Sequence, residues 1–319
     1  MILKNSPSSL LRQLSLSFVL LAGAAFSLLT TSSVALGQKE EEVEIPAPQT
    51  VVREASDGML IKCEYYYGCT DEKKKKQTVP IIIVHDDEEE GKVYDGLATL
   101  LQHQGHAVIV PDLRGHGGST TTRSGQGEFT PEDFRRKTRL AVAAMLNDLE
   151  AAKSFLMEEN NKGELNIELL TVIGVGDMGS TVAINWVASD WSWQQFPGRK
   201  QGQDVKSLIL LSPATSFKGI TSRSALQHAF LQNKYPIKSS ILIIAGNQDR
   251  AEAGRIFKAL ENNHEVNDSL YMIDKPTSLS GSKLLNPRLS LKVDNNIVNF
   301  IRLKIVNEAD NFPWQMRGQ

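Results

Sequence analysis

The sequence is poor in cysteine and histidine and has no excess of charge of one sign. Lys and Arg total 35 and Asp and Glu total 37, so the net charge is −2. Nucleic-acid-binding proteins need a clustered basic surface, and this balance argues against one. Only two cysteines are present, Cys63 and Cys69. In an oxidising compartment they can pair across a hairpin, but two free thiols fit the same spacing equally well.

Long apolar runs are also scarce, and the one that stands out lies at the N-terminus. The basic residues Lys4 and Arg12 precede an apolar stretch over 14–29, and the small residues Ala35 and Gly37 follow it. This order is typical of a signal peptide, so we expect cleavage before Gln38 and export to a periplasmic or extracellular location. The alternative is a membrane anchor, although the run is short for a span of about 20 residues. After cleavage no stable membrane span is expected.

The remaining chain has an ordinary globular composition, with 41% hydrophobic and 23% charged residues. Residues 38–50 are acidic and then contain proline, which predicts a linker. From residue 51 to 306 predicted strands alternate with predicted helices, including a long amphipathic helix over 131–159 on which Leu140 and Leu149 are apolar. This alternation predicts an α/β domain with a mostly parallel sheet flanked by helices on both faces. Residues 307–319 are expected to form a C-terminal tail.

The most specific pattern is the segment 105–119, which reads Gly-His-Ala-Val-Ile-Val-Pro-Asp-Leu-Arg-Gly-His-Gly-Gly-Ser. It resembles the strand and the D-x-R-G-x-G-x-S turn of α/β-hydrolases, in which glycines permit a tight turn and the acid and arginine hold it. The strand ending Val84–His85 is similar to the one before the oxyanion loop of that family. The strand 241–245, followed by Gly-Asn-Gln-Asp249, is similar to the one that delivers the triad acid. The resemblance implies a single α/β-hydrolase domain, and the short connection 212–239 argues against a large cap.

The nucleophile turn of this family is expected after the strand 169–173, where the chain reads Gly174-Val-Gly-Asp-Met-Gly179. Alignment on the final glycine puts Asp177 at the nucleophile position and Met178 beside it, as an oxyanion donor. Three interpretations follow. Asp177 is a carboxylate nucleophile, or it is a non-catalytic replacement that tolerates a left-handed backbone, or the glycines form a dinucleotide-binding loop. The third is the weakest, because the segment follows several earlier strands.

The histidine that this chemistry requires is missing from its expected place. The loop 274–285 contains none, and Ser280 occupies the position that the resemblance assigns to it. Of six histidines, only His85 ends a strand at the correct sheet edge. It is a substitute base in one interpretation and a hydrogen-bonded turn residue in the favoured one. His264 is expected at the opposite edge, and the position of His228 is open.

The predicted oxyanion loop is unusually acidic, because Asp86 opens a run of five carboxylates before Gly91. These charges oppose a site that must stabilise negative charge. Carboxylate oxygens also suit Ca²⁺, but a solvated acidic loop is the favoured interpretation. We expect neither a metal nor a cofactor.

Three departures from the hydrolase pattern therefore coincide, at Asp177, at Ser280 and in the loop that begins at Asp86. They predict an exported, non-catalytic homologue of esterase-like hydrolases that binds a small molecule or an envelope protein. The alternative is a divergent hydrolase of the ester, epoxide or haloalkane type, in which Asp177 is the nucleophile and Asp249 the supporting acid. A third hypothesis is a purely structural or partner-binding protein without a small-molecule pocket.

Overall fold

A computed structural model describes residues 45–125, 138–198 and 200–318. The described residues form one compact unit. The predicted signal peptide 1–37, most of the predicted linker, and the predicted helix start at 131–137 lie outside the described residues.

An eight-stranded sheet forms the centre of the domain, and a two-stranded ribbon lies outside it. The strands are β1 Gln49–Glu54, β2 Leu60–Tyr66, β3 Pro80–Val84, β4 Ala107–Pro111, β5 Leu170–Val175, β6 Val205–Leu211, β7 Ser216–Phe217, β8 Ile220–Thr221, β9 Ser240–Ala245 and β10 Leu270–Asp274. The order across the large sheet is β1-β2-β4-β3-β5-β6-β9-β10. Strands β1, β2 and β4 pair antiparallel and all the other pairs are parallel. The predicted, mostly parallel sheet is confirmed.

The helices lie on both faces of this sheet, as predicted. They are α1 Asp95–His103, α2 Thr138–Lys162, α3 Gly176–Ser192, α4 Arg223–Leu226, α5 Arg250–Leu260 and α6 Val293–Ile301. Apolar side chains of α2, α3 and α5 pack into one hydrophobic cluster, and those of α1 and α6 pack into a second. Strand β3 contributes to both clusters, because Ile82 faces the first while Ile81 and Ile83 face the second. A strand covered on both faces explains the unbroken β-branched run of its sequence.

Helix α2 does not bury every apolar side chain of the predicted amphipathic helix. Leu140 is 83% exposed, whereas Val142, Met145 and Leu149 are buried against the sheet. Spacings of three and four residues place the buried side chains on one face of the helix. Leu140 lies outside that face, although it was one of the apolar positions of the predicted amphipathic helix.

Both ends of the domain extend beyond the predicted boundaries. Strand β1 begins at Gln49, inside the segment predicted to be a linker. At the other end Arg317 is 5% exposed, its guanidinium donates to Glu168 at 2.6 Å and it pairs with Asp204. Two buried carboxylates thus hold residues 312–318 against the domain, and these residues do not form a free tail.

The connection between β6 and β9 carries only the ribbon β7–β8 and the one-turn helix α4. A large cap domain is therefore absent from this connection, all of which the structure describes. Cys63 is buried and Cys69 is half-buried, and both are free thiols. Within the described ranges, no helix has the length and apolarity needed to cross a membrane.

The glycine-rich turn after β4 is a scaffold, as its resemblance implied. The carboxylate of Asp112 accepts hydrogen bonds from the backbone N–H groups of Gly91 at 2.7 Å and Gly118 at 2.8 Å. Arg114 is buried, and its guanidinium bridges Asp148, at 2.6 Å, and Asp57, at 2.5 Å. These charge-assisted bonds tie the turn to helix α2 and to the β1–β2 connection.

We expect Asp148→Asn to lower the free energy of unfolding by about 3 kcal/mol, because it breaks a buried ion pair and leaves Arg114 partly uncompensated. Urea denaturation measures this difference. The matched control is Glu54→Gln, which removes the exposed partner of Arg123 and should cost less than about 1 kcal/mol. Equal losses in the two variants would contradict a structural role for the buried pair.

Candidate functional site

The carboxyl ends of the parallel strands bring four segments together at one edge of the sheet. His85 and Asp86 follow β3, Gly176 follows β5, and Asp249 lies four residues after the end of β9. The loop after β10 reaches the same place, because a Cβ atom on Gly281 would lie 3.7 Å from Asp86 Oδ2. Ligand sites of open α/β sheets form at this edge, so this is the candidate functional site.

The sharp turn between β5 and α3 is made by Gly176, which has a φ of +65°. In α/β-hydrolases the nucleophile occupies this strained strand-to-helix turn. Asp177 follows in the first turn of α3 and does not have a positive φ. The alignment that put Asp177 at the nucleophile position was therefore wrong by one residue. Asp177 is also not a non-catalytic replacement with a left-handed backbone, because Gly176 is the residue that adopts this conformation.

The carboxylate of Asp86 fills the space that a nucleophile's side chain would enter. A Cβ atom built on Gly176 would lie 1.9 Å from Asp86 Oδ2 and 2.0 Å from its Cγ. Asp86 Oδ1 accepts a hydrogen bond of 3.0 Å from the backbone N–H of Met178. The alignment on Asp177 made Met178 the oxyanion donor. With Gly176 at the turn, the residue that follows it is Asp177, so this assignment was also wrong by one residue. An external oxyanion at the turn would have to displace the Asp86 carboxylate.

Burial raises the pKa of the Asp86 carboxyl to about 6, and the nearby carboxylates of Glu89 and Asp177 act in the same direction. The hydrogen bond from Met178 opposes this shift. Negative charge at this position is consequently less favourable than it is in water.

The two acids singled out from the sequence lie near each other. Partial burial and the carboxylate of Asp249 raise the pKa of Asp177. Asp249 has a buried Oδ2 atom with no hydrogen-bond partner among the described residues. Several carboxyl groups therefore lie together at this site, with few partners that stabilise their negative charge.

His85 is not a base for either acid. It is fully buried, its Nε2 accepts the backbone N–H of Leu113 at 2.8 Å, and its Nδ1 lies 2.7 Å from the carbonyl oxygen of Asp86. Both ring nitrogens are thus engaged by the backbone. Burial and the neighbouring His116 lower its pKa to about 4, so the ring is neutral near pH 7. The hypothesis of a substitute base was wrong, and the hydrogen-bonded turn histidine is confirmed.

The other candidate histidines are also accounted for. His228 Nε2 lies 3.3 Å from the hydroxyl of Ser192, at the far end of α3 from Gly176. Seventeen helical residues separate the two ends by roughly 24 Å. His264 contacts the carbonyl oxygen of Leu231 at 2.8 Å, in the connection that precedes β9, so it lies at the predicted opposite edge.

The loop after β10 arrives where the resemblance placed it, but without an imidazole. Ser280 directly precedes the 3-10 turn Gly281–Leu285, and Gly281 is the residue beside Asp86. The hydroxyl of Ser282 donates to Glu89 Oε1 at 2.5 Å. This loop is therefore fastened to the acidic loop, and a serine hydroxyl cannot act as the general base that the chemistry requires.

Asp86, Asp87 and Glu89 of the acidic loop 86–90 are bonded to other parts of the protein, so the loop is not solvated along its whole length as predicted. Asp87 pairs with Lys218 at 2.8 Å and lies 3.5 Å from His116. Burial opposes ionisation of Asp87, but the hydrogen bonds from these two groups prevail and lower its pKa to about 2. Among the described residues no group of three acids, histidines or cysteines is arranged to hold a metal ion.

The glycines of this segment serve packing. A Cβ atom on Gly179 would lie 2.4 Å from the carbonyl oxygen of Val84, and one on Gly174 would lie 2.8 Å from the Cβ of Ala183. They let α3 approach β3 and β5 closely. Because Asp86 already occupies the N-terminus of α3, the dinucleotide-loop interpretation has no support.

The strand order and the turn after β5 define an α/β-hydrolase fold. The chain belongs to the family described as serine aminopeptidase, S33, whose family model matches residues 75–286. No curated protein sequence matches the chain.

Solved structures of hydrolases are similar in fold. Dienelactone hydrolase from Anabaena variabilis has a TM-score of 0.56 at 15% identity, covering 82% of this chain and all of that one. A thermostable carboxyl esterase from Bacillus coagulans has a TM-score of 0.55 at 14% identity, covering 82% of this chain and 99% of that one. Acylaminoacyl peptidase from Pyrococcus horikoshii has a TM-score of 0.59 at 10% identity, covering 87% of this chain and 44% of that one.

The contact between Asp86 and Gly176 predicts a non-additive pair of substitutions. Gly176→Ala should lower the free energy of unfolding by about 3 kcal/mol, from its left-handed φ and from overlap with the carboxylate. In the Asp86→Gly background only the φ cost remains, about 1–2 kcal/mol. Urea denaturation of the wild type, the two single variants and the double variant gives the coupling free energy between the two positions. As control, Gly58→Ala has a φ of +83° and no atom within 4 Å, so its cost should be the same in both backgrounds. A coupling of zero at Gly176 would contradict the overlap.

Asp86 also predicts a pH dependence of stability. Its pKa is raised from 3.8 to about 6 in the folded protein, so the folded state binds the proton more tightly than the unfolded state between these values. The free energy of unfolding should therefore fall as pH rises from about 4 to about 6. Asp86→Asn removes this contribution, and its stability relative to the wild type should rise over the same window. Parallel pH profiles of the two proteins would contradict the raised pKa.

Proposed function

We propose that this protein is a non-catalytic member of its hydrolase family that works by binding. The observation that carries the proposal is the turn after β5, where Gly176 offers no side chain and Asp86 occupies the vacated space. A hydrolase of this fold needs a nucleophile at that turn and a base to activate it or its water. Neither is supplied by His85, whose nitrogens are engaged, or by Ser280, which has only a hydroxyl.

The electrostatics of the site support the same proposal. An oxyanion site needs donors that are free to meet developing negative charge. Here the Asp86 carboxylate lies against the turn and accepts a hydrogen bond from the N–H group of Met178, and Asp177 and Asp249 lie close by. A negatively charged intermediate would form beside three carboxyl groups. The site is thus poorly suited to acyl transfer through an oxyanion.

We further propose that the protein is exported and that its partner is a small molecule or an envelope protein. The signal-like sequence 1–37 supports export. Two cavities of about 550 and 520 Å³ support the binding of a small molecule away from the turn after β5. The first is lined by Met157 and Trp193 among others, and the second by Ile237 and Phe312 among others.

Assays with p-nitrophenyl esters and a fluorophosphonate probe test the absence of catalysis. The purified protein should show no hydrolysis above the rate of heat-denatured protein and no adduct in its intact-mass spectrum. Asp177→Ala should not change either result, and an active serine esterase serves as positive control. Turnover that Asp177→Ala abolishes would overturn the proposal and establish the divergent hydrolase with a carboxylate nucleophile.

The export proposal has its own measurement. The mass of the protein recovered from the exported fraction should correspond to a chain that begins at Gln38. Recovery only of a membrane-bound chain that retains residues 1–37 would instead establish the N-terminal anchor.

A further inference from the structure

Strand β6 carries a buried lysine near its amino end, at the edge of the sheet opposite the turn after β5. Lys206 is the second residue of the strand and is 2% exposed. Its ammonium nitrogen donates to the carbonyl oxygens of Gln203 at 2.8 Å and Asp204 at 2.9 Å. The rings of Trp191 and Phe312 lie 5.5 and 5.4 Å from the same nitrogen.

This amine has no acidic partner among the described residues, where no carboxylate oxygen lies within 4.0 Å of it. The acids nearby are already paired. Asp204 pairs with Lys153 at 2.8 Å and with Arg317, and Glu168 pairs with Arg317 at 2.6 Å. Lys206 is therefore held by neutral carbonyl oxygens and aromatic faces, which do not balance a positive charge.

Lys206 also lines the cavity of about 520 Å³. Phe312 and Ile237 give this cavity apolar wall, and Ser240 and Asn233 give it polar groups. Most of its other lining residues are polar or charged, among them Lys238, Glu265, Asp268, Lys304 and Glu308, so the cavity suits a small, polar carbonyl compound. Burial and the neighbouring Lys200 lower the pKa of Lys206 to about 7, although the acids Glu168, Asp204 and Asp190 oppose the shift. The neutral amine is thus far more populated near pH 7 in Lys206 than in an ordinary lysine, which is almost wholly protonated.

We propose that Lys206 is the nucleophile of a second site, which captures a small aldehyde or ketone as an imine. A lysine removed from water beside another cation is the environment that activates amines toward carbonyl carbon. The Nζ lone pair adds to the carbonyl carbon, and a proton passes from nitrogen to the carbonyl oxygen to give a carbinolamine. Loss of that oxygen as water leaves the C=N bond. Amine and carbonyl compound thus yield imine and water, without oxidant or reductant.

Trapping with a small aldehyde tests this proposal on the intact protein. Propanal and cyanoborohydride, which reduces the imine to a stable secondary amine, are added between pH 6 and 9, and the modified lysines are mapped by peptide mass spectrometry. At pH 7 Lys206 should be alkylated at least about tenfold faster than the exposed Lys238 on the same cavity, because it holds far more neutral amine. Its labelling should be half-maximal near pH 7.

Matched variants assign the rapid reaction to its site. Lys206→Met should abolish the rapid labelling, and Lys238→Met should leave it unchanged. Peptide mapping separates the α-amino group, which also reacts in this pH range. Should Lys206→Met fail to fold, the wild-type map still decides the matter. Labelling of Lys238 and other exposed lysines without labelling of Lys206 would overturn the proposal.

Discussion

The arrangement of the loops at the carboxyl edge of the sheet depends on one close contact. In this contact the Asp86 carboxylate lies against the backbone of the turn after β5. The contact is possible only because Gly176 has no side chain, and Met178 then binds the carboxylate through its N–H group. Asp86 also fixes the start of the acidic loop, whose Glu89 meets the loop after β10 through Ser282. Three loops at the carboxyl edge of the sheet are thus joined to one another.

Most of the fold could be predicted from the sequence because the signals are local. The β-branched runs of β3 and β5, the helical spacing of α2 and the glycine-rich turn after Asp112 each reflect their own surroundings. The ends of the domain were harder to place. Arg317 is buried through pairing with Glu168, 149 positions earlier, and no local pattern reveals a partner at that distance. Leu140 is exposed although it is apolar, because an apolar residue on a helix does not by itself report which face is covered.

The sequence predicts the candidate site less completely than it predicts the fold. The absence of histidine after β10 is visible in the sequence, and the structure brings that loop to the predicted edge. The position of the nucleophile turn was missed by one residue, because two glycine spacings compete in the segment 174–179. Glycine adopts a positive φ far more readily than aspartate, and that preference was the available signal for Gly176. The filling of the turn by Asp86, 92 positions from Met178, could not be read from the chain.

The ion pairs of Arg317 also bear on how the chain acquires its structure. Glu168 and Asp204 are buried acids, and their shared arginine lies more than 110 positions further along the chain. Contacts between such distant positions close late in folding, because the intervening chain must first be ordered. During synthesis the two acids lack this counter-ion until the segment that contains Arg317 has left the ribosome, so these ion pairs cannot form while the earlier strands emerge.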